Sequence, residues 1–230
     1  ISYPEKLNNL LGKKYTVKAF GHPYSWLIDS STTNFIHSTE IKKALVFNPD
    51  IVIIDFGITD SKNKNCQLHN YYNAYTEVIK SFKGLASEPR IILLLPRPVF
   101  DTCGLYSDQI LKDSIIPAIE RAAFDENCEI VNLRNMFLDS PNMFSSQLKP
   151  KSKAVNLIAK RIKEVILTGN KLEIDIINKS GITVKKSNYH GYECYDFLFE
   201  DNPCKIVKPK FSARDNPWIW KARFWTHFPQ

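Results

Sequence analysis

The run Gly57-Ile58-Thr59-Asp60-Ser61 follows an apolar stretch and sets a hydroxyl, a carboxylate and a second hydroxyl within three positions. These are the groups of nucleophilic or general acid–base chemistry, in which a hydroxyl attacks, a base takes its proton and a carboxylate orients the base. The base is the part without an obvious owner. His22 follows Gly21 directly and His69 opens a helix. His22 reads either as a pocket residue or as an ordinary hydrogen-bonded loop residue. Asp60 and Ser61 also read two ways, as pocket groups or as caps of their own loop. Ser25 and Ser61 have no base at a recognisable spacing, and Ser31, Thr32 and Thr33 read as turn or cap residues. The cysteines are Cys66, Cys103, Cys128, Cys194 and Cys204. They lack CxxC spacing, so no zinc site is expected, and no other metal or cofactor is indicated. Their odd number argues against a complete disulfide framework. Cys194 and Cys204 are candidates to face each other on paired strands, but free thiols are the expectation.

The elements that must carry these residues follow from periodicity. "SYPEKLNNLLG" puts Tyr3, Leu7, Leu10 and Leu11 on one helical face, with Pro4 early and Gly12 at the end. "YTVKAF", Tyr15 to Phe20, is a short strand. "DIVIIDF" and "RIILLLP" read as apolar runs, the pattern of strands covered on both faces. They are expected to form the centre of the sheet. Leu68, Tyr72, Tyr75, Val78, Ile79 and Phe82 make one helical stripe, and Leu111, Ile115, Ile119 and Ala122 make another. "CEIVNL" is a strand. "KSKAVNLIAKRIKEVIL" is a last helix with Ala154, Leu157, Ile158, Val165 and Ile166 inward. Strands alternating with helices imply an α/β fold, with a three-layer, doubly wound, mainly parallel sheet. After Thr168 the rhythm changes. Residues 1–168 form the α/β domain and 169–230 a β-rich extension, with strand-like pieces "LEIDII", "ITVKK", "YECYDFLFE", "CKIVKPK" and "PWIWKARFWTHF".

Ligands of such sheets bind outside the carboxyl ends of the strands. "FGHPYSW", "GITDS", "LPRP" and "FSSQLKP" fall there. In order and spacing, residues 2 to 167 resemble the SGNH (GDSL) esterase superfamily, whose sheet is flavodoxin-like. "FNPDIVIIDFGITDSK" is similar to that family's "KPDIVVIMLGTNDSK" block. The resemblance implies an ester hydrolase of carbohydrate or acyl esterase lineage, and an acylated sugar or small ester as ligand. It also implies where the chemistry belongs. The family's serine lies on a "GDS" loop ahead of the first helix, upstream of Ile1. Its oxyanion glycine falls on Gly21 and its oxyanion asparagine on Thr59, a shorter donor with one proton to give. The aspartate and histidine of "DGVHP" fall on Ser146 and Lys149. A serine offers no carboxylate, and an exposed lysine is protonated near pH 7 and accepts no proton. The expectation is a family member without an intact triad, inactive as these 230 residues stand. His22, Asp60 and Ser61 remain as pocket candidates.

The last 40 residues resemble the first strands of an α/β-hydrolase domain that follows an SGNH domain in some bacterial two-domain esterases. A bacterial, periplasmic or secreted setting would follow from that resemblance. Trp218, Trp220 and Trp225 make the segment aromatic. They read as core, as a sugar-stacking surface, or as an apolar patch for self-association or a partner. A binding or scaffold module, or a piece of a two-domain esterase active elsewhere, are the competing functions. The chain opens on Ile1, as a processed or excised piece would. Net charge is +7 and pI about 9.0. The excess sits between Lys149 and Lys163 and between Lys205 and Lys221, and reads as solvated faces. No nucleic-acid motif is present, and no apolar run is long enough to span a membrane.

Overall fold

The computed structural model describes residues 2–21, 26–27, 35–62, 68–100, 104–145, 149–168, 183–189, 191–199 and 202–207. The chain opens with helix α1 (Tyr3–Leu11), where Pro4 sits in the first turn and the Glu5 carboxylate accepts the Ser2 N–H at 2.7 Å. Helix α2 (Thr39–Phe47) follows; sequence periodicity did not signal it. Its signals are local: the Ser38 hydroxyl accepts the Ile41 N–H, and Asn48 ends it in the left-handed region.

Three strands, β1 (Ile51–Ile54), β2 (Arg90–Leu95) and β3 (Glu129–Asn132), form a parallel sheet in the order β1-β2-β3. Alternate residues of β2 feed two separate cores. Ile91, Leu93 and Leu95 face the layer of α2, α3 (Tyr71–Lys83) and α5 (Ile116–Asp125). Ile92 and Leu94 face the layer of α1 and α7 (Ser152–Thr168). This is the three-layer α/β architecture that the apolar strands call for. The short helix α4 (Asp108–Ile110) runs into α5 through a π-helical turn, Leu111–Ile115. Pro117 has no N–H to give the i−4 carbonyl, so the ladder re-registers just ahead of it. Leu111, Ile115, Ile119 and Ala122 are all fully buried as expected. A five-residue helix, α6 (Leu133–Phe137), follows β3.

Three expectations change. Tyr15–Phe20 belongs to no strand ladder among the described residues. β1 is therefore an edge of the described sheet, not part of its centre. Both its faces are nonetheless covered: Val52 and Ile54 lie in one core while Ile51 and Ile53 pack on the other. Leu157 points outward with 36% exposure; α7 is buried instead through Ala154, Val155, Ile158, Ala159 and Ile162. Tyr72 stays packed against the core of its stripe, half-buried, with its hydroxyl donating to Asp125 at 2.8 Å and Arg121 stacked on its ring.

At the amino end of the strands Arg90 is the clamp. Its guanidinium pairs with Glu129 on β3 and donates to the Val165 and Ile166 carbonyls, at 2.7 and 3.1 Å, near the carboxyl end of α7. In the extension, β4 (Val184–Tyr189), β5 (Tyr192–Phe199) and β6 (Asn202–Val207) form an antiparallel meander. Cys194 and Cys204 are free. The register pairs Cys194 with Val207 and Cys204 with Phe197. Positions 194 and 197 lie on opposite faces of β5, which separates the two thiols. "LEIDII" and "PWIWKARFWTHF" lie outside the described residues.

Candidate functional site

The carboxyl end of β1 carries the loop Asp55–Ser61, and its path is set by Gly57. Gly57 has φ +123°, and a Cβ there would stand 2.7 Å from Pro96 Cγ and 2.9 Å from Ile115 Cγ2. Only glycine fits both the backbone angle and the space. Two polar residues then hold the loop from below. Asp60 is fully buried; its carboxylate accepts the Leu27 N–H at 2.8 Å and the Tyr71 hydroxyl at 3.5 Å. The Ser61 hydroxyl donates to the Ile58 carbonyl at 2.7 Å, and its own carbonyl accepts from Ser107 N–H. Of their two sequence readings, the described contacts are those of loop caps.

A groove of about 910 Å³ runs between residues 14–21 on one side and Asp50–Thr59 on the other. Gly21 and Thr59 both line it, so the fold brings these two candidates to one cavity. Gly21 is exposed, and a Cβ there would meet nothing within 4 Å. Lys149 does not line the groove; it is exposed on a small loop closed by Ser145 N–H to the Lys149 carbonyl at 2.9 Å and by Lys149 N–H to the Ser145 hydroxyl at 3.1 Å. Ser146 and His22 lie outside the described residues.

The sequence reading passed over the groove's polar groups. Asp55, Tyr3 and Arg97 all line it. Asp55 is enclosed by protein yet open to the groove, and burial raises its pKa against the opposing pull of Arg97 and the Tyr3 hydrogen bond. Burial also pushes Tyr3 well up, with Asp55 adding to it. Arg97 is brought down to about 10 by burial, although Asp55 and Tyr106 favour its charge. Its guanidinium lies 4.6 Å from the Phe144 ring centre. The available signals were one aspartate inside "DIVIIDF" and the arginine of "LPRP". A phenol, a guanidinium, a threonine hydroxyl and a glycine backbone can donate to a carbonyl or sugar oxygen. The described residues include no serine–histidine pair at the groove, and no cluster of histidine, cysteine, aspartate and glutamate suited to a metal ion.

No protein-family model matches the chain. Over 183 residues it is 27% identical to an acetylxylan esterase of Xylanibacter ruminicola, covering 71% of this chain. The chain spans only 37% of that relative's length. Among solved structures, one superposes with a TM-score of 0.59 at 14% identity, over 73% of this chain and 86% of the other. A lipase/acylhydrolase from Enterococcus faecalis superposes with a TM-score of 0.47 at 20% identity, over 54% and 65%. The sequence likeness is to an acetylxylan esterase over part of that protein, and the 0.59 superposition shows a shared α/β fold.

Proposed function

We propose that this chain is an SGNH-type domain of carbohydrate or acyl esterase lineage that, as these 230 residues, binds an acylated sugar or small ester without hydrolysing it. The observation that carries this reading is the groove mouth. Gly21 and Thr59 line it with Tyr3, Asp55 and Arg97, while Lys149 stands outside. Among the described residues, donors to an ester oxygen are therefore gathered without a histidine beside them. The acetylxylan esterase likeness makes acetylated xylan fragments the first ligands to try.

The test has two arms. Turnover of p-nitrophenyl acetate is expected to stay unsaturable and near the buffer blank, and Lys149→His with Ser146→Asp is expected not to create activity. A saturable rate abolished by one substitution would overturn inactivity. Binding of acetylated xylo-oligosaccharides, followed by calorimetry, is expected and should weaken about 2- to 10-fold in Thr59→Val, the loss of roughly one hydrogen bond. Equal binding of deacetylated fragments would remove the ester from the recognition. A second reading, a piece of a larger esterase with its chemistry elsewhere, is favoured by the 37% coverage of the relative. Turnover by a longer form of the protein, set against none by this chain, would support it.

A further inference from the structure

The two helix layers carry their charge differently. On the layer of α2, α3 and α5, cations stand beside acids: Lys43 with Glu40 at 3.9 Å, Lys80 and Lys83 with Glu126 at 3.7 and 3.0 Å, and Arg121 with Asp125 at 3.7 Å. On the layer of α1 and α7 the acids run out. α1 holds Glu5, whose carboxylate accepts the Ser2 N–H. α7 holds Glu164, which Arg161 takes at 2.7 Å. Lys153, Lys160 and Lys163 of α7 make no ion pair among the described residues. Packing fixes where they point. Ala154, Val155, Ile158, Ala159 and Ile162 form the buried side of α7, so the helical period turns these three lysines to the other side. Lys153 and Lys160 are exposed and Lys163 is half-buried. From Lys153 to Lys163 the stripe runs about 15 Å along one helix. The turn after α1 adds Lys13 and Lys14, both exposed, at the end of the layer where Lys14 and Ile166 line one groove.

We propose that this face binds a carboxylate-bearing polysaccharide laid along α7, an inference that rests on the carbohydrate lineage proposed above. The argument is charge complementarity. Lysines three and seven residues apart on one helix face repel one another, and a polyanion seated on them removes that repulsion. A lysine ammonium is a point charge on a flexible stem, so it meets single carboxylates at irregular spacing without a fixed fork geometry. Single-stranded nucleic acid calls for aromatic platforms as well as cations. The exposed large apolar side chains of α7 are Leu157 and Leu167, and neither carries a ring. The place of the stripe gives it a use. The last turn of α7 bonds Arg90 at the amino end of β2, so the helix starts at the carboxyl ends of the strands, the end at which the groove mouth lies. A polymer held on α7 therefore leads toward Gly21 and Thr59, and raises the local concentration of its side groups there.

The test uses a polymer without acetyl groups, so its outcome is separate from that of ester binding. Deacetylated glucuronoxylan, and the same polymer with its carboxyls reduced to alcohols, are titrated into the 230-residue protein by calorimetry. The carboxylated polymer is expected to bind at about 20 mM salt and at least about tenfold more weakly at about 200 mM, as screening shortens the reach of each charge. The reduced polymer is expected not to bind. Reversing Lys153, Lys160 and Lys163 together to glutamate should weaken binding at least about tenfold, while arginine at the same three positions should keep it within about twofold. Lys42, Lys43 and Lys80 reversed together give the same net charge on the other layer, and should change binding less than about threefold. Equal losses in the two reversal variants would make net charge the cause and overturn the proposal. So would equal binding of the reduced polymer, or equal affinity for single-stranded DNA or anionic lipid vesicles. If the polymer fails while acetylated xylo-oligosaccharides still bind, this inference falls and the ester reading stands.

Discussion

At the scale of single residues, the loop after β1 separates groups that hold the structure from groups that face a ligand. Gly57 belongs to the first kind. Gly57→Ala meets Pro96 and Ile115 at under 3 Å and sits at positive φ, so it is expected to cost about 1–3 kcal/mol or more in urea unfolding. Gly21→Ala places its methyl in open space and is expected to stay within about 0.5 kcal/mol of the parent. Equal losses in the two variants would show that the space around Gly57 is not what constrains it. Asp60 and Ser61 carry the same lesson from the other side. Their types were legible as pocket chemistry, but sequence does not say which way a loop side chain turns. Asp60 turns inward to Leu27 and Tyr71. Asp55 was hidden for the opposite reason: its apolar and aromatic neighbours, Ile51 to Ile54 and Phe56, disguise a carboxylate that opens on the groove.

At the scale of elements, the strands and the long helices were readable because each buries a full stripe, and periodicity reports burial. What stayed illegible depends on partners. Nothing within "YTVKAF" says whether a neighbouring strand will accept its hydrogen bonds, and the π turn before Pro117 is a re-registration that a 3.6-residue period does not encode. Two contacts between elements are testable. Arg90 holds β3 and the end of α7 together, so Arg90→Ala should lose about 1–3 kcal/mol by thermal or urea unfolding. Arg90→Lys should recover little of it, since a lysine cannot match the forked geometry. Asp108, at the start of α4, accepts from Arg134 at 2.7 and 2.8 Å and from the Val99 N–H at 3.0 Å. Burial would raise its pKa, but the Arg134, Val99 and Lys112 hydrogen bonds win and bring it down to about 2. A depressed carboxylate contributes stability that is complete above its unfolded pKa, near 3.8, and is lost as pH falls through the folded value near 2. Discounted for its partial exposure, Asp108→Asn should cost about 1 kcal/mol at pH 7, shrinking toward zero near pH 2. A penalty that stays constant across that range would point to geometry, not charge.

At the scale of the whole molecule, the α/β part and the meander differ in how well they bury themselves. The first has two cores, one on each side of β2. In the meander only Cys194 and Tyr195 are buried among the described residues, and Leu198 is 60% exposed. The described ring contact between the two parts is Phe124 on Tyr192, at 6.4 Å. Three short strands with so thin a core need cover from elsewhere to be stable. The sequence after β6 supplies aromatic side chains in "PWIWKARFW". If those rings cover the meander, they are protected and the chain gains nothing by associating. If they do not, an apolar patch remains and drives self-association. The expected outcome is the second: Trp218, Trp220 and Trp225 quenched by acrylamide at low protein concentration, with elution from a size-exclusion column moving to larger species as concentration rises. Replacing the three by serine should abolish the concentration dependence and leave the unfolding transition of the α/β part within about 0.5 kcal/mol. Tryptophans shielded from acrylamide in a protein that elutes as a monomer throughout would instead make the tail the cover of its own meander.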